Sequence, residues 1–211
     1  MRAPPVAWIF DLDDTLHDAS AHIFPHINQA MRRYIEALLN VDAAEANRIR
    51  QTYWHRYGAT LLGLMRHHAI DPLHFLQATH DVPVLEKMVA FNPAVKILLK
   101  KLPGRKILYS NSPAHYASAI LAITGMTRLF NAVYTVESSR FQPKPSLAGF
   151  RRLLRVEKLL PHRCVMVEDS AANLRAAKQL GLKTVWISRH TRQPPWVDVR
   201  IPSILALPVI N

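Results

Sequence analysis

The sequence has very little cysteine, which limits how the chain can be stabilised. Cys164 is the single cysteine among 211 residues, so no disulfide can form within the chain. Its neighbours Val165, Met166 and Val167 are apolar, which predicts a buried structural thiol rather than a nucleophile. Because proteins without disulfides are typical of reducing compartments, we expect a cytoplasmic protein.

Long apolar runs are also missing. No segment approaches the roughly 18 consecutive apolar residues of a membrane-spanning helix, so we expect no membrane partner. The apolar stretch near the N-terminus has only about five residues, which is too short for the apolar region of a secretory signal. We find no internal repeat and no low-complexity segment.

Acidic residues are scarce relative to basic ones. The chain has 27 Lys and Arg residues against 15 Asp and Glu, which gives a formal net charge of +12. Such a charge suits either a nucleic acid or a small anionic substrate. The basic residues are dispersed, apart from a loose group at Arg189, Arg192 and Arg200, and no zinc-finger or RNA-recognition motif accompanies them. We therefore expect a small anionic substrate rather than nucleic acid, in a monomer or a homodimer.

Helical periodicity dominates residues 20–90. Apolar residues at spacings of three and four predict a helix over 19–39. Asp42 is a good N-cap for a second helix over 43–68, which Gly58 and Gly63 are expected to bend or thin. Asp71 and Pro72 begin a short third helix.

From residue 93 onwards, predicted helices and strands alternate. Together with the N-terminal run, the predicted strands cover 6–10, 106–109, 132–136, 164–167 and 184–187. Ser112 and Pro113 are predicted to begin the helix after the second strand, with Ser112 as its N-cap. This alternation predicts an α/β fold, a doubly wound Rossmann-like parallel sheet built from residues 1–16 and 93–211. Residues 17–92 form an all-helical insertion after the first strand.

Polar residues follow four of the predicted strands. These residues are Asp11 and Asp13, then Ser110 and Asn111, then Lys144 between two prolines, and finally Glu168 and Asp169. Because ligands of doubly wound sheets bind at the carboxyl ends of the strands, we expect all of them to converge on one crevice.

The residue types in this crevice suit phosphoryl transfer. Crowded carboxylates require a cation, and Mg²⁺ prefers a few carboxylates together with water and phosphate oxygens. One carboxylate can attack phosphorus, and a second can act as general acid and then general base. Ser110 and Asn111 are predicted to hold the phosphoryl oxygens, and Lys144 to neutralise the developing charge.

With these motifs, the chain resembles the haloacid dehalogenase-like hydrolase superfamily. The resemblance covers nearly the whole chain, and its specific parts are Asp11-Leu12-Asp13-Asp14-Thr15 and Glu168-Asp169. It implies that the helical insertion is a cap domain and that Asp11 forms an aspartyl-phosphate. It further implies that Asp13 is the general acid and base, and that Mg²⁺ is held by Asp11, the Asp13 main-chain carbonyl, Asp169 and Glu168.

Asp13 favours phosphate chemistry within this superfamily. The resemblance implies that dehalogenases do not use this aspartate, because a leaving halide needs no proton, whereas a leaving oxygen does. The expected reaction is therefore Mg²⁺-dependent hydrolysis of a small phosphate monoester. A phosphomutase, a sugar-phosphate or phosphoglycolate phosphatase and a non-catalytic binding module remain alternatives.

The segment from Tyr53 to Gly58 resembles the pyrimidine 5′-nucleotidase branch, as does Ser138-Ser139-Arg140. This resemblance implies a nucleoside 5′-monophosphate as substrate, with Tyr53, Arg56 and Tyr57 contributing to specificity. The alternative is that the two tyrosines are core residues and that Arg56 is a surface charge.

Two further groups of residues are ambiguous. Asn173, one helical turn after Asp169, either supports that aspartate or is an exposed helix residue. The 11 histidines are expected at the surface or in packing, because no set of them has the spacing of a zinc site.

Overall fold

We describe the fold from a computed structural model, in which residues 7–207 are described. These residues form two compact units. One unit contains the chain up to Asp18 and from Ala90 onwards, and the other is Ala19–Val89. The sequence-based boundaries, 16/17 and 92/93, lie within three residues of these positions.

A six-stranded parallel sheet forms the centre of the first unit. Its strands are β1 (Ala7–Phe10), β2 (Arg105–Tyr109), β3 (Ala132–Tyr134), β4 (Cys164–Glu168), β5 (Lys183–Ile187) and β6 (Val199–Ile201). The strand order is β3-β2-β1-β4-β5-β6, which is that of a doubly wound sheet and confirms the predicted fold class. Strand β6 is not among the predicted strands, because a three-residue edge strand followed by Pro202 is too short to show a period.

The helices flank this sheet or form the second unit. The α-helices of the described residues are α1 (Ile23–Leu39), α2 (Ala43–Tyr57), α3 (Thr60–His68), α4 (Pro72–Thr79), α5 (Val82–Leu85), α6 (Ala94–Lys101), α7 (Ala114–Ile123), α8 (Leu147–Val156) and α9 (Ala171–Gln179). Within residues 7–207, no helix is both long and apolar enough to cross a membrane.

The register of the sheet brings the strand ends to one level. Phe10 at the end of β1 pairs with Leu108 of β2 on one side and with Val167 of β4 on the other. All four residues of β1 are fully buried, so the strand is covered on both faces. The residues that follow β1, β2 and β4 therefore emerge beside one another.

The hydrophobic core fixes this register. Phe150 of α8 packs edge-on against the ring of Tyr109 in β2, with ring centroids 5.0 Å apart. Leu174 of α9 and Met166 of β4 lie in the same buried cluster. Cys164 also belongs to this cluster, and burial raises the pKa of its thiol to about 11. The thiol is therefore protonated at neutral pH, and its Sγ donates to the Leu160 carbonyl at 3.3 Å.

The N-terminus of α7 is not capped as predicted. The expected N-cap, Ser112, makes no capping bond, and the N-cap position is occupied by Pro113. Instead, both carboxylate oxygens of Glu137 accept from the Ala114 amide, at 2.9 and 3.1 Å. A carboxylate there satisfies a free amide and favours the positive end of the helix dipole. The Ser112 hydroxyl is thus available for a different partner.

The second unit consists of α1 to α5. Asp42 accepts from the Glu45 amide at 2.9 Å, which confirms it as the N-cap of α2, and Asp71 accepts from the Leu73 amide at the start of α4. The single helix predicted over 43–68 is wrong, because the chain breaks at Gly58. Gly58 has φ of 82°, a left-handed conformation that ends a helix and that glycine adopts without strain.

Gly149 provides a test of how tightly α8 packs on the sheet. A Cβ atom there would overlap the Tyr109 hydroxyl and lie 3.0 Å from the Gln142 carbonyl oxygen. We expect Gly149→Ala to lower the free energy of unfolding by about 1–3 kcal/mol, measured by urea denaturation. The same substitution should cost less in a Tyr109→Phe background, which lacks the overlapping atom. An equal cost in both backgrounds would show that this contact is not the cause.

Candidate active site

Lys144 lies at the centre of the site. It belongs to the loop between β3 and α8, and its side chain is only 1% exposed. The Nζ atom donates to Asp11 Oδ1 at 2.6 Å, to Glu168 Oε2 at 2.7 Å and to the Tyr109 carbonyl at 2.8 Å. These three acceptors match the three N–H bonds of an ammonium group. Lys144 therefore joins residues at the ends of β1, β2 and β4.

The electrostatics keep this ammonium group charged. Burial alone would lower the pKa of Lys144, but the attraction of Asp11 and Glu168 outweighs it and raises the pKa. The Lys144 ammonium is therefore a permanent positive charge at neutral pH.

Asn111 holds the main chain of Lys144. Its Oδ1 accepts from the Lys144 amide at 2.7 Å, and its Nδ2 donates to the Lys144 carbonyl at 3.0 Å. The binding of phosphoryl oxygens by Asn111 stays a prediction, and the structure adds that both polar atoms of its side chain bond to this loop. The sequence did not indicate these loop contacts, because the two residues are 33 positions apart and only the fold brings them together.

Three carboxylates form a cluster next to Lys144. One oxygen from each of Asp11, Glu168 and Asp169 lies within 4.8 Å of the others. Burial and the repulsion of Glu168 raise the pKa of Asp11 well above its usual range. Burial likewise raises the pKa of Glu168, and it raises that of Asp169 to about 6. One ammonium does not balance three carboxylates, so the cluster favours a further cation.

The donor set fits a hard divalent cation. All three side chains offer carboxylate oxygens, and Mg²⁺ takes one or two carboxylates with its remaining positions filled by water or phosphate. The predicted ligands Asp11, Glu168 and Asp169 are thus brought together.

Glu168 is held from two further directions. Its Oε2 accepts from Asn173 Nδ2 at 3.1 Å, and its Oε1 accepts from the Ser170 amide at 3.2 Å. Asn173 is only 9% exposed. The sequence left Asn173 as either a partner of Asp169 or an exposed residue, and both alternatives are wrong. It bonds to Glu168, which is five residues earlier.

Asp13 has different surroundings from Asp11. Its Oδ1 accepts from Tyr116 Oη at 2.7 Å and from His17 Nε2 at 3.0 Å, and its Oδ2 accepts from the Ser112 hydroxyl. Burial works to raise the pKa of Asp13, but the hydrogen bonds from His17, Ser112 and Tyr116 outweigh it and lower the pKa. Ser110, at the end of β2, lies beside this group, and its Oγ accepts from the Ser112 amide at 3.0 Å.

His17 and Tyr116 are two further residues of the site that were not predicted from the sequence. His17 was expected at the surface or in packing, yet its side chain is fully buried and bonds to Asp13. Burial and the adjacent Asp13 raise the pKa of Tyr116, so its hydroxyl stays protonated and can donate. The spacing of four residues from Asp13 to His17, and from Ser112 to Tyr116, is a signal that was available in the sequence.

The predicted specificity residues lie on α2, within the helical unit. The Tyr53 hydroxyl is 2.8 Å from His68 Nε2, and the Tyr57 hydroxyl is 2.5 Å from His67 Nε2. The rings of Tyr53 and His67 are stacked with centroids 5.4 Å apart. These contacts hold α2 against α3 and fit the packing alternative for both tyrosines. Arg56 is exposed, with its guanidinium carbon 5.6 Å from the centroid of the Tyr57 ring.

A cavity lies beside Asp169 at the carboxyl end of β5. Trp186, Ser188, Arg189 and His190 line it together with Asp169. The indole of Trp186 donates to the Asp169 carbonyl at 2.7 Å and so fixes the main chain of this carboxylate. The side chains of Arg189 and His190 therefore line a cavity next to the acidic cluster, and such a cavity suits an anionic ligand.

Comparison with known proteins places this geometry in a family. The family model for haloacid dehalogenase-like hydrolases matches residues 7–181. Phosphate metabolism protein 8 of Saccharomyces cerevisiae is 24% identical over 189 residues, which cover 83% of this chain and 59% of the yeast protein. The chain thus spans less than two thirds of the length of that relative.

Solved structures share the fold over nearly their full length. CbbY from Rhodobacter sphaeroides in complex with phosphate has a TM-score of 0.70 at 22% identity, with 96% of each chain covered. L-2-haloacid dehalogenase from Xanthobacter autotrophicus has a TM-score of 0.63 at 17% identity, again over 96% of each chain. The fold is thus common to proteins of different chemistry. Because the family model matches most of the chain, from β1 to the end of α9, the protein belongs to the haloacid dehalogenase-like hydrolase family.

Proposed function

We propose that the protein is a Mg²⁺-dependent phosphatase that hydrolyses a small phosphate monoester through an aspartyl-phosphate on Asp11. The observation that carries this proposal is the separation of two aspartates into different surroundings. Asp11 lies in the acidic cluster beside Lys144, and Asp13 is bound by three side-chain donors. Two carboxylates in distinct environments suit a nucleophile and a separate proton carrier.

In the first step, a carboxylate oxygen of Asp11 forms a bond to phosphorus while the ester P–O bond breaks. The leaving oxygen takes a proton from Asp13, which has first received it from the monoanion of the phosphate monoester. In the second step, Asp13 takes a proton from water, whose oxygen bonds to phosphorus as the bond to Asp11 breaks. Asp13 passes its proton to the departing phosphate, and both aspartates return to their starting forms.

The remaining residues orient Asp11 and compensate charge. Lys144 fixes the Asp11 carboxylate through Oδ1 and offsets the negative charge of the transferring group. Asn111 positions Lys144 by its two main-chain hydrogen bonds, and Ser110 holds a phosphoryl oxygen.

Asp11, Glu168 and Asp169, with the Asp13 main-chain carbonyl, would hold Mg²⁺. When bound, the ion neutralises phosphate oxygens and lowers the repulsion between phosphate and the carboxylates.

Asp13 also favours phosphatase over dehalogenase chemistry. A halide leaves without a proton, so a dehalogenase needs no proton carrier at this position. In this chain Asp13 is buried and accepts hydrogen bonds from His17, Ser112 and Tyr116, which supports a role for it in proton transfer.

Within this class we propose a nucleoside 5′-monophosphate as the substrate. The resemblance of the α2 segment to pyrimidine 5′-nucleotidases supports this, and exposed Arg56 is the residue of that segment best suited to contact a ligand. A sugar-phosphate phosphatase or phosphomutase is the second candidate, since a mutant of the similar CbbY protein was solved in complex with xylulose-(1,5)bisphosphate.

The nucleophile is tested by replacing Asp11. Asp11→Asn should lower kcat for phosphate release from p-nitrophenyl phosphate by at least about 1,000-fold, because an amide cannot form the acyl phosphate. Asp14→Asn is the control, since Asn tolerates the left-handed conformation of Asp14, where φ is 57°. The control should retain most of the activity, and an active Asp11→Asn protein would exclude this nucleophile.

The metal site is tested by thermal unfolding, independently of activity. MgCl₂ should raise the melting temperature of the wild-type protein, and EDTA should reverse the rise, because a ligand at 100 times its Kd stabilises by about 2.7 kcal/mol. Asp169→Asn should abolish this response. Asp198→Asn, which alters a carboxylate bonded to Lys178 and Thr184, should keep it. Equal responses from both variants would contradict the proposed ligands.

The substrate is tested by a phosphate-release screen across nucleotides, sugar phosphates and phosphoglycolate. We expect the highest kcat/KM with pyrimidine nucleoside 5′-monophosphates. Arg56→Ala should raise KM for these by about 10-fold without changing KM for p-nitrophenyl phosphate. Arg48→Ala, on the same helix and paired with Glu45, is the control.

A preference for sugar phosphates would favour the second candidate over a nucleotidase. Isomerisation of a sugar monophosphate with a trace of its bisphosphate, without phosphate release, would identify a phosphomutase.

A further inference from the structure

The hydrogen bonds on Asp13 are distributed unevenly between its two oxygens. A carboxylate has about four lone-pair positions, two on each oxygen. Oδ1 accepts from both Tyr116 and His17, at 2.7 and 3.0 Å, whereas Oδ2 accepts from Ser112. Among the described residues, one position therefore remains open, and it is on Oδ2.

The two donors to Oδ1 are built into the fold. The side chain of His17 is fully buried, and Tyr116 is 1% exposed. The Nδ1 atom of His17 has no hydrogen-bond partner within residues 7–207, so the bond to Asp13 is made by the Nε2 nitrogen, which must carry a proton to donate. Burying two polar side chains costs free energy unless they are paired. Their shared acceptor is Asp13.

The donors come from separate segments of the chain. His17 lies four residues after Asp13, beyond the end of β1, and Tyr116 belongs to the first turn of α7, 103 positions from Asp13. Two hydrogen bonds from separate segments therefore hold Oδ1 of Asp13. Together they fix the χ angles of the Asp13 side chain and so the orientation of its carboxylate.

We propose that Tyr116 and His17 are positioning residues that occupy Oδ1 of Asp13 and thereby assign proton transfer to Oδ2. This assignment rests on the proposed phosphatase function. Oδ2 first receives a proton from the bound phosphate monoester monoanion. As the bond between Asp11 and phosphorus forms and the ester P–O bond breaks, this proton moves to the leaving oxygen. Asp13 is left as a carboxylate, and the donors on Oδ1 keep Oδ2 directed at the place where water then loses its proton.

The test compares two esters that differ in their need for a proton. The leaving group of p-nitrophenyl phosphate is stable as an anion, whereas an alkyl phosphate must have its leaving oxygen protonated. We expect Tyr116→Phe to lower kcat/KM by about 10- to 100-fold for the alkyl phosphate that the wild-type protein hydrolyses fastest. The same variant should change kcat/KM for p-nitrophenyl phosphate by less than about threefold, because kcat/KM reports the step in which the ester bond breaks.

Tyr134→Phe is a matched control. The Tyr134 hydroxyl donates to a Glu157 carboxylate oxygen at 2.7 Å, the same distance as in the Tyr116–Asp13 pair, but Glu157 is not part of the site. This control should leave kcat/KM unchanged for both esters, and its melting temperature shows what the loss of such a bond does to stability.

His17 supplies an independent second variant. His17→Leu should show the same selective loss on the alkyl phosphate, and His17→Gln, which keeps an N–H donor, should restore part of it. Circular dichroism confirms that each variant is folded before its kinetics are compared.

Several results would overturn the assignment. An equal loss on both esters in Tyr116→Phe and His17→Leu would show that these residues only support the fold. Unchanged kinetics in both variants would show that Asp13 needs neither. If the wild-type protein released no phosphate from either ester, the proposed function and this assignment would both fail. Phosphate release that depends on Asp11 but not on Tyr116 or His17 would remove the assignment alone.

Discussion

The structure depends on one buried ammonium group. Lys144 Nζ contacts Asp11, Glu168 and the Tyr109 carbonyl, and these acceptors lie at the ends of three neighbouring strands. A buried charge without partners would cost several kcal/mol, and so would the buried carboxylates without Lys144. The Lys144 ammonium therefore stabilises the carboxylates at the strand ends, and these carboxylates stabilise the buried ammonium in turn. The Asn111 side chain completes this arrangement by fixing the main chain of Lys144.

The environment of each carboxylate determines what it can do. Asp11 and Asp13 are two residues apart and chemically identical, yet the pKa of Asp11 is raised and that of Asp13 is lowered. Asp11 faces other carboxylates, whereas three side-chain donors bond to the Asp13 carboxylate and stabilise its anion. We propose Asp11 as the nucleophile, which needs a cation nearby, and Asp13 as the proton carrier, which needs an oriented carboxylate. The two surroundings supply these different needs within one short segment.

The two units of the chain differ in the roles that we propose for their residues. The sheet unit contains all the residues to which we assign chemistry, and its family membership follows from a match that begins at β1. The helical unit holds the residues proposed to select the substrate, and two of those, Tyr53 and Tyr57, also pack α2 against α3. Tyr53 shows why substrate selection and helix packing are hard to separate. Its ring stacks on His67 and its hydroxyl is hydrogen-bonded to His68, so a substitution there would also change the packing. Arg56 is exposed, which fits both a contact with the ligand and the alternative of a surface charge.

Local patterns in the sequence determined the parallel sheet, most of the helices and the positions of Asp11, Ser110, Lys144, Glu168 and Asp169 at strand ends. Apolar runs and caps act over a few residues, so their effect can be predicted from the sequence. The break at Gly58 and the short edge strand β6 were missed because each depends on packing more than on a repeating pattern. The partners of Ser112 and Tyr116 were decided only by the tertiary structure. These residues lie 99 and 103 positions from Asp13. The register of β1 against β2 brings the carboxyl ends of the two strands together, and with them the residues that follow.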